Sequence, residues 1–418
     1  MKARRSFTSS SESPGRTALV AVACAIALVA AVDLLCRAAL PEGRLVEYED
    51  FVRHRVESEP APDVQVVGDS VARSGVLVGA LTGGSATGRN DAIPAGGTPK
   101  TYLLLARQFE AGHIPKALVI AHSPHTLGQI RYEVLIGSFA RWDEVPELFV
   151  QSEPWTDALY GVFTRFSYLL MHRDSFRDLI KLGDTSFFRK NITELALPPD
   201  QERLQSFRRE LTDGKFATSP LGPVKAGPHE RPFEVMPMND YYLRRILALA
   251  KDHGVKVFWL TPPVPRRVID GRAPSNYEAE LVSYLGEFES RGELTVLRGG
   301  FVEYPDEMFR DDLHLNAAGA VRLACELRAL RGPVVDAVVD HPHVTRVLAP
   351  SESGSGEVSA MLEPYCQAMV CPAMDSRSIR LASASNDANR TPNLTTCRNG
   401  STYALSRQTA SVATRTDR

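Results

Sequence analysis

The chain has 418 residues, 44% hydrophobic and 23% charged, which is enough for one large α/β domain with additional segments. Its formal net charge of -2 lacks the strong positive field of nucleic-acid-binding proteins, so no nucleic-acid partner is expected. The six cysteines include no CxxC pair, which excludes the common zinc-knuckle and redox motifs, and neither a metal nor a cofactor is expected.

The N-terminal segment has the pattern of a membrane helix. Four basic residues precede an uncharged run from Thr17 to Val32, and apolar character continues to Leu40. As a helix, Thr17–Leu40 would be about 36 Å long, close to a bilayer span. The positive-inside rule places the N-terminus in the cytoplasm and the chain beyond about residue 41 outside. A cleaved signal peptide is the alternative, but no clean small-x-small site follows, so residues 1–40 are interpreted as a cytoplasmic N-terminus and a single-pass transmembrane anchor.

A Val-rich run follows the anchor and ends in a candidate nucleophile. Residues 41–62 are charged and contain proline, which predicts a linker. The apolar run Val64–Val67 then ends abruptly in Gly68-Asp69-Ser70. Such a run is typical of a buried parallel strand, and open α/β sheets keep active sites at the carboxyl edge of their strands. Gly-Asp-Ser by itself is a common turn, so Ser70 needs a partner elsewhere in the chain.

Two glycines precede the next predicted helix. Thr98 is a good N-cap and Pro99 suits the first helical position. The N–H groups of Gly96 and Gly97 are therefore available to an anion, such as the oxyanion that develops during acyl transfer. The glycine-rich stretch 83–88 lacks the Gly-Lys-Ser/Thr ending of a phosphate-binding loop, so no nucleotide site is predicted there.

A second buried strand, Ala117–Ala121, leads into His122-Ser123-Pro124-His125. The two histidines have the spacing of metal ligands, but no third or fourth ligand lies nearby, which favours loop or cleft residues. From about 127 to 235 the sequence becomes aromatic-rich and amphipathic, and it predicts a mostly helical insertion. This insertion either forms a wall or lid of the cleft or is a packing subdomain, and we favour the packing subdomain.

The α/β alternation resumes after the insertion. The predicted elements are helices over 238–253 and 276–291, strands over 255–260 and 294–297, and a last helix from the N-cap Asn316 to Leu330, with Gly332 as its stop. These elements complete a predicted catalytic domain over 63–350. Cys325 is its only cysteine, so disulfides are not expected to hold it together. The tail, 351–418, is rich in Ser, Thr, Ala, Asn and Arg without a hydrophobic period, which predicts disorder.

A base and an orienting acid lie late in the chain. Asp311 and His314 are three residues apart, so one carboxylate can hold the imidazole while its other nitrogen faces a distant serine. Asp312 is the alternative orienting acid, although its position favours an exposed loop residue. With Ser70, these residues form a candidate Ser-His-Asp triad.

Gly68-Asp69-Ser70 and Asp311-x-x-His314-Leu-Asn-x-x-Gly319 resemble the motifs of the SGNH (GDSL-like) hydrolase superfamily. Within it, the membrane-anchored bacterial polysaccharide O-acetyltransferases of the alginate type are the most similar group. The resemblance covers about 63–125 and 237–332. It implies a three-layer α/β/α, flavodoxin-like fold with a mostly parallel sheet. It also implies Ser70 as nucleophile, His314 as general base and acid, and Asp311 as orienting residue.

The oxyanion hole departs from the family pattern. The resemblance assigns one donor to Gly96 or Gly97 and a second to the N–H of Ser70 or its neighbour. A third, the Asn of Gly-x-Asn-Asp, is absent, because the equivalent strand end reads Ala121-His122-Ser123. Ser123 or His122 is then the candidate replacement. The motif order also differs from that of alginate-type members, in which Asp-x-His tends to precede the serine.

Together these patterns predict an extracytoplasmic, periplasmic or extracellular, serine-dependent acyl (acetyl) transferase or esterase. The expected partners are an acyl donor, a cell-surface polysaccharide or other acyl ester, the membrane through the N-terminal helix, and a membrane acyltransferase. The alternative is a catalytically silent member of the fold that binds glycan or scaffolds a cell-envelope complex. The missing third donor motivates this alternative.

Overall fold

The computed structural model describes residues 14–39, 44–83, 86–182, 232–272 and 276–339, together with Cys366. The chain divides into two units, Met1–Glu363 and Pro364–Arg418. Every element below belongs to the first unit. The predicted disordered tail lies outside the described residues, apart from Cys366, and so do residues 183–231 of the predicted insertion.

A parallel sheet of five strands forms the centre of the described chain. Its order is β2 (Gly88–Asn90), β1 (Val64–Gly68), β3 (Ala117–Ala121), β4 (Lys256–Leu260) and β6 (Thr295–Arg298). Every residue of β1 and β3 is buried, so both faces of the sheet are covered at its centre. A separate parallel pair joins β5 (Val264–Pro265) to β7 (Glu303–Tyr304). The predicted α/β class with a mostly parallel sheet is therefore confirmed.

Most of the other described elements are helices. They are α1 (Pro14–Ala39), α2 (Arg44–Ser58), α3 (Ser70–Gly75), α4 (Val78–Thr82), α5 (Thr98–Glu110), α6 (Pro124–Leu127), α7 (Tyr132–Val134), the π-helical turn Leu135–Phe139, α8 (Val145–Val150), α9 (Trp155–Phe166), α10 (Tyr168–Met171), α11 (Arg173–Leu182), α12 (Pro237–Asp252), α13 (Arg266–Arg272), α14 (Tyr277–Ser290), α15 (Ala317–Leu330) and α16 (Gly332–Val339). Leu105 of α5 and Leu243 of α12 share one hydrophobic cluster with Trp259 of β4.

The prediction of a linker over 41–62 needs correction, because residues 44–58 form the helix α2. Tyr48, Val52 and Val56 are buried in a cluster with residues of α5 and α12. These apolar positions are four residues apart, so they form a stripe on one face of the helix. Glu49 is buried beside this stripe, whereas Asp50 and His54 are exposed. Because the stripe is short and lies within a charged stretch, it was not recognised as a helix. Residues 44–58 are therefore part of the packed body.

Two predicted helix signals also need correction. The N-cap of α5 is Gly97 rather than Thr98, whose hydroxyl instead donates to the carbonyl of Asn239 at 2.7 Å. Gly332 was predicted to stop α15, but it is instead the first residue of the next helix, α16, where Pro333 suits the first turn. Cys325 on α15 is disulfide-bonded. It is the only cysteine of the predicted domain, so this bond does not join two parts of that domain.

The described part of the insertion, 127–182, is helical as predicted, and two of its elements cross closely. A Cβ at Gly161 of α9 would lie 2.7 Å from the carbonyl oxygen of Tyr132 and 3.0 Å from the Cβ of Ile136. A Cβ at Gly137, in the π-helical turn, would collide with the side chain of Thr164. Glycine therefore lets α9 lie directly against the backbone of α7 and the π-helical turn.

The N-terminal helix differs from the others in its exposure. Residues Ala18–Ala39 form 22 residues of mean hydropathy 2.7, long and apolar enough to cross a membrane. Most of its large side chains are exposed. Asp33 is the exception, because it is buried against the start of α10. The structure thus supports a candidate membrane-spanning segment at this position.

Candidate active site

Ser70 follows β1 at the carboxyl edge of the sheet. β1 ends at Gly68, whose position leaves no room for a Cβ because the carbonyl oxygen of Ala121 lies against it. Asp69 then caps α3, with its carboxylate accepting from the N–H of Val71 at 2.9 Å. Ser70 is the first residue of that helix. Glycine is thus needed for the close approach to Ala121, aspartate for the helix cap, and serine for its hydroxyl.

The structure brings Ser70, His314 and Asp311 together, although Ser70 and His314 are 244 residues apart. Nε2 of His314 lies 2.9 Å from Oγ of Ser70. Nδ1 of His314 lies 2.8 Å and 2.9 Å from the two carboxylate oxygens of Asp311. Because a carboxylate only accepts, Nδ1–H is the donor to Asp311, and Nε2 is left to accept the Ser70 hydroxyl proton.

The surroundings of Asp311 keep it ionised. Burial would raise the pKa of Asp311, but hydrogen bonds from the His314 side chain and from the N–H groups of His314 and Leu313 outweigh it. The two N–H groups donate to one carboxylate oxygen at 2.7 Å and 2.9 Å. The pKa of Asp311 therefore lies well below its usual value. An ionised Asp311 can stabilise the imidazolium that forms when His314 takes a proton.

The helix α15 positions this loop. Asn316 is its N-cap and accepts from the N–H of Gly319 at 3.1 Å, while its side-chain amide donates to the carbonyl of Glu307 at 2.6 Å. Gly319 is also in close contact with the carbonyl oxygen of Met308, which leaves no space for a Cβ. The Asn and Gly of the late motif thus fix the loop that carries Asp311 and His314. Neighbouring Asp312 instead pairs with Arg267 and is half exposed.

Asp69 joins the two strand ends, a role that sequence reasoning missed. Its second carboxylate oxygen accepts from the N–H of Ser123 at 2.8 Å, from the Ser123 hydroxyl, and from the Thr126 hydroxyl at 2.7 Å. The N–H of Ser123 is therefore directed to Asp69, and its hydroxyl lies among Asp69, Nδ1 of His125 at 3.0 Å and the Thr126 hydroxyl at 2.8 Å. This corrects the expectation that Ser123 donates to an oxyanion. The available signal was the middle residue of Gly-Asp-Ser, but only the pairing of Gly68 with Ala121 shows which loop it meets.

The two histidines after β3 do different things. His122 is fully buried, and its Nε2 lies 3.0 Å from the Thr101 hydroxyl. Burial lowers the pKa of His122, so its ring is neutral near pH 7. Burial would raise the pKa of Asp69, but the hydrogen bonds from the Ser123 and Thr126 hydroxyls hold it below its usual value. His125 instead lines a cavity beside Ser70.

That cavity has a volume of about 200 Å³. It is lined by Asp69, Ser70, Ala95, Gly97, Pro99, Lys100, His125, Thr126, Gln129, Ile130, Arg131 and Leu135. Ala95 has a φ of 53°, a left-handed backbone conformation that residues other than glycine rarely adopt. Strain of this kind tends to occur at functional sites, and here it shapes the turn that leads to Gly97.

The turn before α5 distinguishes the two glycines. The N–H of Gly96 donates to the carbonyl of Ile93 at 3.0 Å, so it closes the turn. Among the residues that the structure describes, no acceptor receives the N–H of Gly97 or the N–H of Ser70. Both residues line the cavity. Gly97 and Ser70 are therefore the candidate oxyanion donors, and Gly96 is not.

A buried ion pair, whose lysine lines the cavity, was not predicted. Lys100 of α5 pairs with Glu49 of α2, and both side chains are almost fully buried. The other carboxylate oxygen of Glu49 accepts from the Ser138 hydroxyl at 2.8 Å. Burial raises the pKa of Glu49, and Lys100 and Ser138 oppose that effect. The pair links α2, α5 and the π-helical turn around the cavity.

No protein-family model and no curated protein sequence matches this chain. The geometry of the site and the sequence motifs are therefore the basis for a functional proposal.

Proposed function

We propose that this protein is a serine-dependent acyltransferase or esterase of the SGNH type, acting outside the cytoplasmic membrane on cell-surface polysaccharide. The observation that carries the proposal is the hydrogen-bonded series Ser70, His314 and Asp311 beside a small cavity. A serine, a neutral nitrogen acceptor and an ionised carboxylate in this order make up the machinery of nucleophilic acyl transfer. The burial of both sheet faces is compatible with the three-layer α/β/α arrangement of that superfamily.

In the first half-reaction, Oγ of Ser70 attacks the acyl carbonyl carbon as its proton passes to Nε2 of His314. The N–H groups of Ser70 and Gly97 donate to the oxyanion of the tetrahedral intermediate. The bond from carbon to the leaving oxygen then breaks, and His314 gives its proton to that oxygen. The products are a free alcohol and an acyl ester on Ser70.

In the second half-reaction, His314 removes a proton from a sugar hydroxyl or from water, whose oxygen attacks the acyl carbon. Collapse of the second intermediate breaks the bond to Oγ, and His314 returns the proton to Ser70. The cavity of about 200 Å³ is smaller than the roughly 300–1,000 Å³ of pockets for drug-sized ligands. It suits a short acyl group such as acetyl, while a glycan would lie at its opening.

Two features support the proposed location. The helix α1 is long and apolar enough to anchor the chain in a membrane. Cys325 is disulfide-bonded, and such bonds persist mainly in oxidising compartments outside the cytoplasm. An anchored enzyme lies close to nascent surface glycan. A membrane acyltransferase is the proposed source of its acyl groups.

The nucleophile can be tested with a fluorophosphonate probe on the full-length protein in detergent. We expect labelling of the native protein and of Ser74→Ala, and none of Ser70→Ala. Ser74 is the matched control because it lies on the same short helix, where its hydroxyl donates to the carbonyl of Val71. Labelling that survives in Ser70→Ala would show that another residue is the nucleophile. Folded native protein that takes up no label would instead favour the silent, glycan-binding alternative.

Transfer and hydrolysis can be separated with an acetyl ester and an added oligosaccharide. We expect the oligosaccharide to gain acetyl groups at the expense of free acetate. If acetate release is unchanged and no acetylated sugar forms, the protein is an esterase.

A further inference from the structure

The helix α9 presents apolar residues to the outside of the described protein. Trp155, Phe163 and Phe166 are 60%, 55% and 64% exposed. At 3.6 residues per turn, these positions fall on one face of the helix. The opposite face consists of small buried residues, Ala158, Gly161 and Thr164. A helix with large aromatic residues outside and small residues inside has its apolar face directed away from the core.

Neighbouring residues extend this surface. Trp142 is exposed and its ring centroid lies 5.5 Å from that of Phe166. Leu170 of α10 is exposed as well. The guanidinium of Arg165 lies over the Trp142 ring at 4.3 Å, so a cation borders the apolar area. We call Trp142, Trp155, Phe163, Phe166 and Leu170 the aromatic face.

The candidate membrane helix is attached beside the aromatic face. Asp33 of α1 accepts from the hydroxyl of Ser167 at 2.7 Å and from the N–H of Leu169 at 2.9 Å, both at the start of α10. Arg37 donates to the carbonyl of Arg165. Asp33 and Arg37 follow the uncharged run of α1, so these bonds fix the end of the apolar segment next to Phe166 and Leu170.

We propose that the aromatic face is a membrane-docking surface that lies in the interface of the same bilayer that α1 spans. The inference rests on the proposed anchoring by α1. A charged group such as Asp33 belongs at the boundary of the hydrocarbon layer, and the hydrogen bonds of Asp33 hold α10 and the end of α9 at that level. Tryptophan is enriched at this depth, because its ring is amphipathic, and phenylalanine adds apolar area. The occupant of the face is therefore lipid.

The three tryptophans of the chain allow a direct test. Trp142 and Trp155 lie on the aromatic face, whereas Trp259 is fully buried in the core and is an internal control. The full-length protein is reconstituted in phosphatidylcholine vesicles with or without bromine on the acyl chains, which quenches nearby tryptophan. We expect bromolipid to quench the emission of the native protein strongly. The double variant W142F/W155F, which keeps only Trp259, should lose that quenching.

Flotation of the vesicles separates the possible outcomes. If the protein floats with the vesicles but bromolipid quenches neither Trp142 nor Trp155, the anchor stands and the docking proposal is wrong. The aromatic face would then be free for a protein partner or a second copy of the chain. If the protein does not float, the anchoring fails and the docking proposal fails with it. Probe labelling of Ser70 in the same samples reports independently on the proposed activity.

Discussion

Asp311 and Asp312 are adjacent acids with different surroundings, and the difference decides which one can orient the base. Asp311 receives three hydrogen bonds from His314 and Leu313, whereas Asp312 pairs with Arg267 at the surface. The spacing in the sequence allowed both assignments. Only the geometry shows that Asp311 reaches Nδ1 of His314.

We expect Asp311→Asn to reduce kcat for a short acetyl ester by about 1,000- to 10,000-fold, because the amide no longer stabilises the tautomer and the imidazolium that the reaction needs. Asp312→Asn is the matched control, and its kcat should stay close to that of the native protein. Steady-state kinetics with both variants checks this. Equal losses in the two variants would remove Asp311 from the proposed triad.

The pKa of Asp311 gives a pH-dependent prediction. Folding lowers this pKa, so its contribution to stability is present above the unfolded value of about 3.9 and is lost as pH falls through the lower folded value. The free energy of unfolding of the native protein should therefore exceed that of Asp311→Asn at pH 7. The gap should narrow below about pH 4. Because Asp311 is half exposed, solvent screening keeps the gap small. Urea denaturation at several pH values measures it, and a constant gap would contradict the prediction.

At the scale of elements, apolar runs located the central strands, but polar elements were missed. The strand β1 is Val-rich apart from Gln65, the strand β3 is a continuous apolar run, and both were predicted. The strand β2 reads Gly88-Arg89-Asn90, which carries no apolar signal. It is a strand because the folded chain places it beside β1, with which it pairs in parallel. The error at Ser123 has the same origin, because no local pattern shows that β1 and β3 are neighbours.

The N-cap of α15 should matter more than that of α14. Asn316→Ala removes a capping bond and is expected to lower the free energy of unfolding by about 1 kcal/mol. Asn276, the N-cap of α14, makes no such side-chain bond, so Asn276→Ala should have little effect. Chemical denaturation compares the two. Because Asn316 also holds the loop of His314, Asn316→Ala should lower activity while Asn276→Ala should not.

The helix α2 can be tested as part of the folded body. Val52→Ala removes two buried methyl groups and should lower the free energy of unfolding by about 2 kcal/mol. His54→Ala, two residues further at an exposed position, should be nearly neutral. If Val52→Ala were also neutral, residues 41–62 would behave as the linker that the sequence predicted.

At the scale of the whole molecule, the order of strands brings distant motifs together. The sequence located Ser70, Asp311 and His314 through their motifs, but the distance between them follows from the sheet and from the packing of α15. The volume of the cavity and the pairing of Lys100 with Glu49 depend on contacts among α2, α5 and the insertion. No local pattern carries that information.

The orientation in the membrane is a prediction at the same scale. Alkaline phosphatase, which is active only after export, should be active when fused to the C-terminal Arg418. It should be inactive when fused before α1, after residue 13. Both fusions are assayed in intact cells, with expression checked by immunoblot. The opposite pattern would place the proposed active site in the cytoplasm.

The glycine crossing at Gly161 has a mechanical consequence. One side of α9 carries the aromatic face, and at Gly161 the other side lies against the carbonyl oxygen of Tyr132 and the Cβ of Ile136. Leu135, the residue before Ile136, lines the cavity beside Ser70. If the aromatic face lies in lipid, the lateral pressure of the bilayer reaches the cavity wall through this close contact, because packed protein has low compressibility. Lipid packing would then set the width of the acyl site, and turnover would vary with the composition of the membrane.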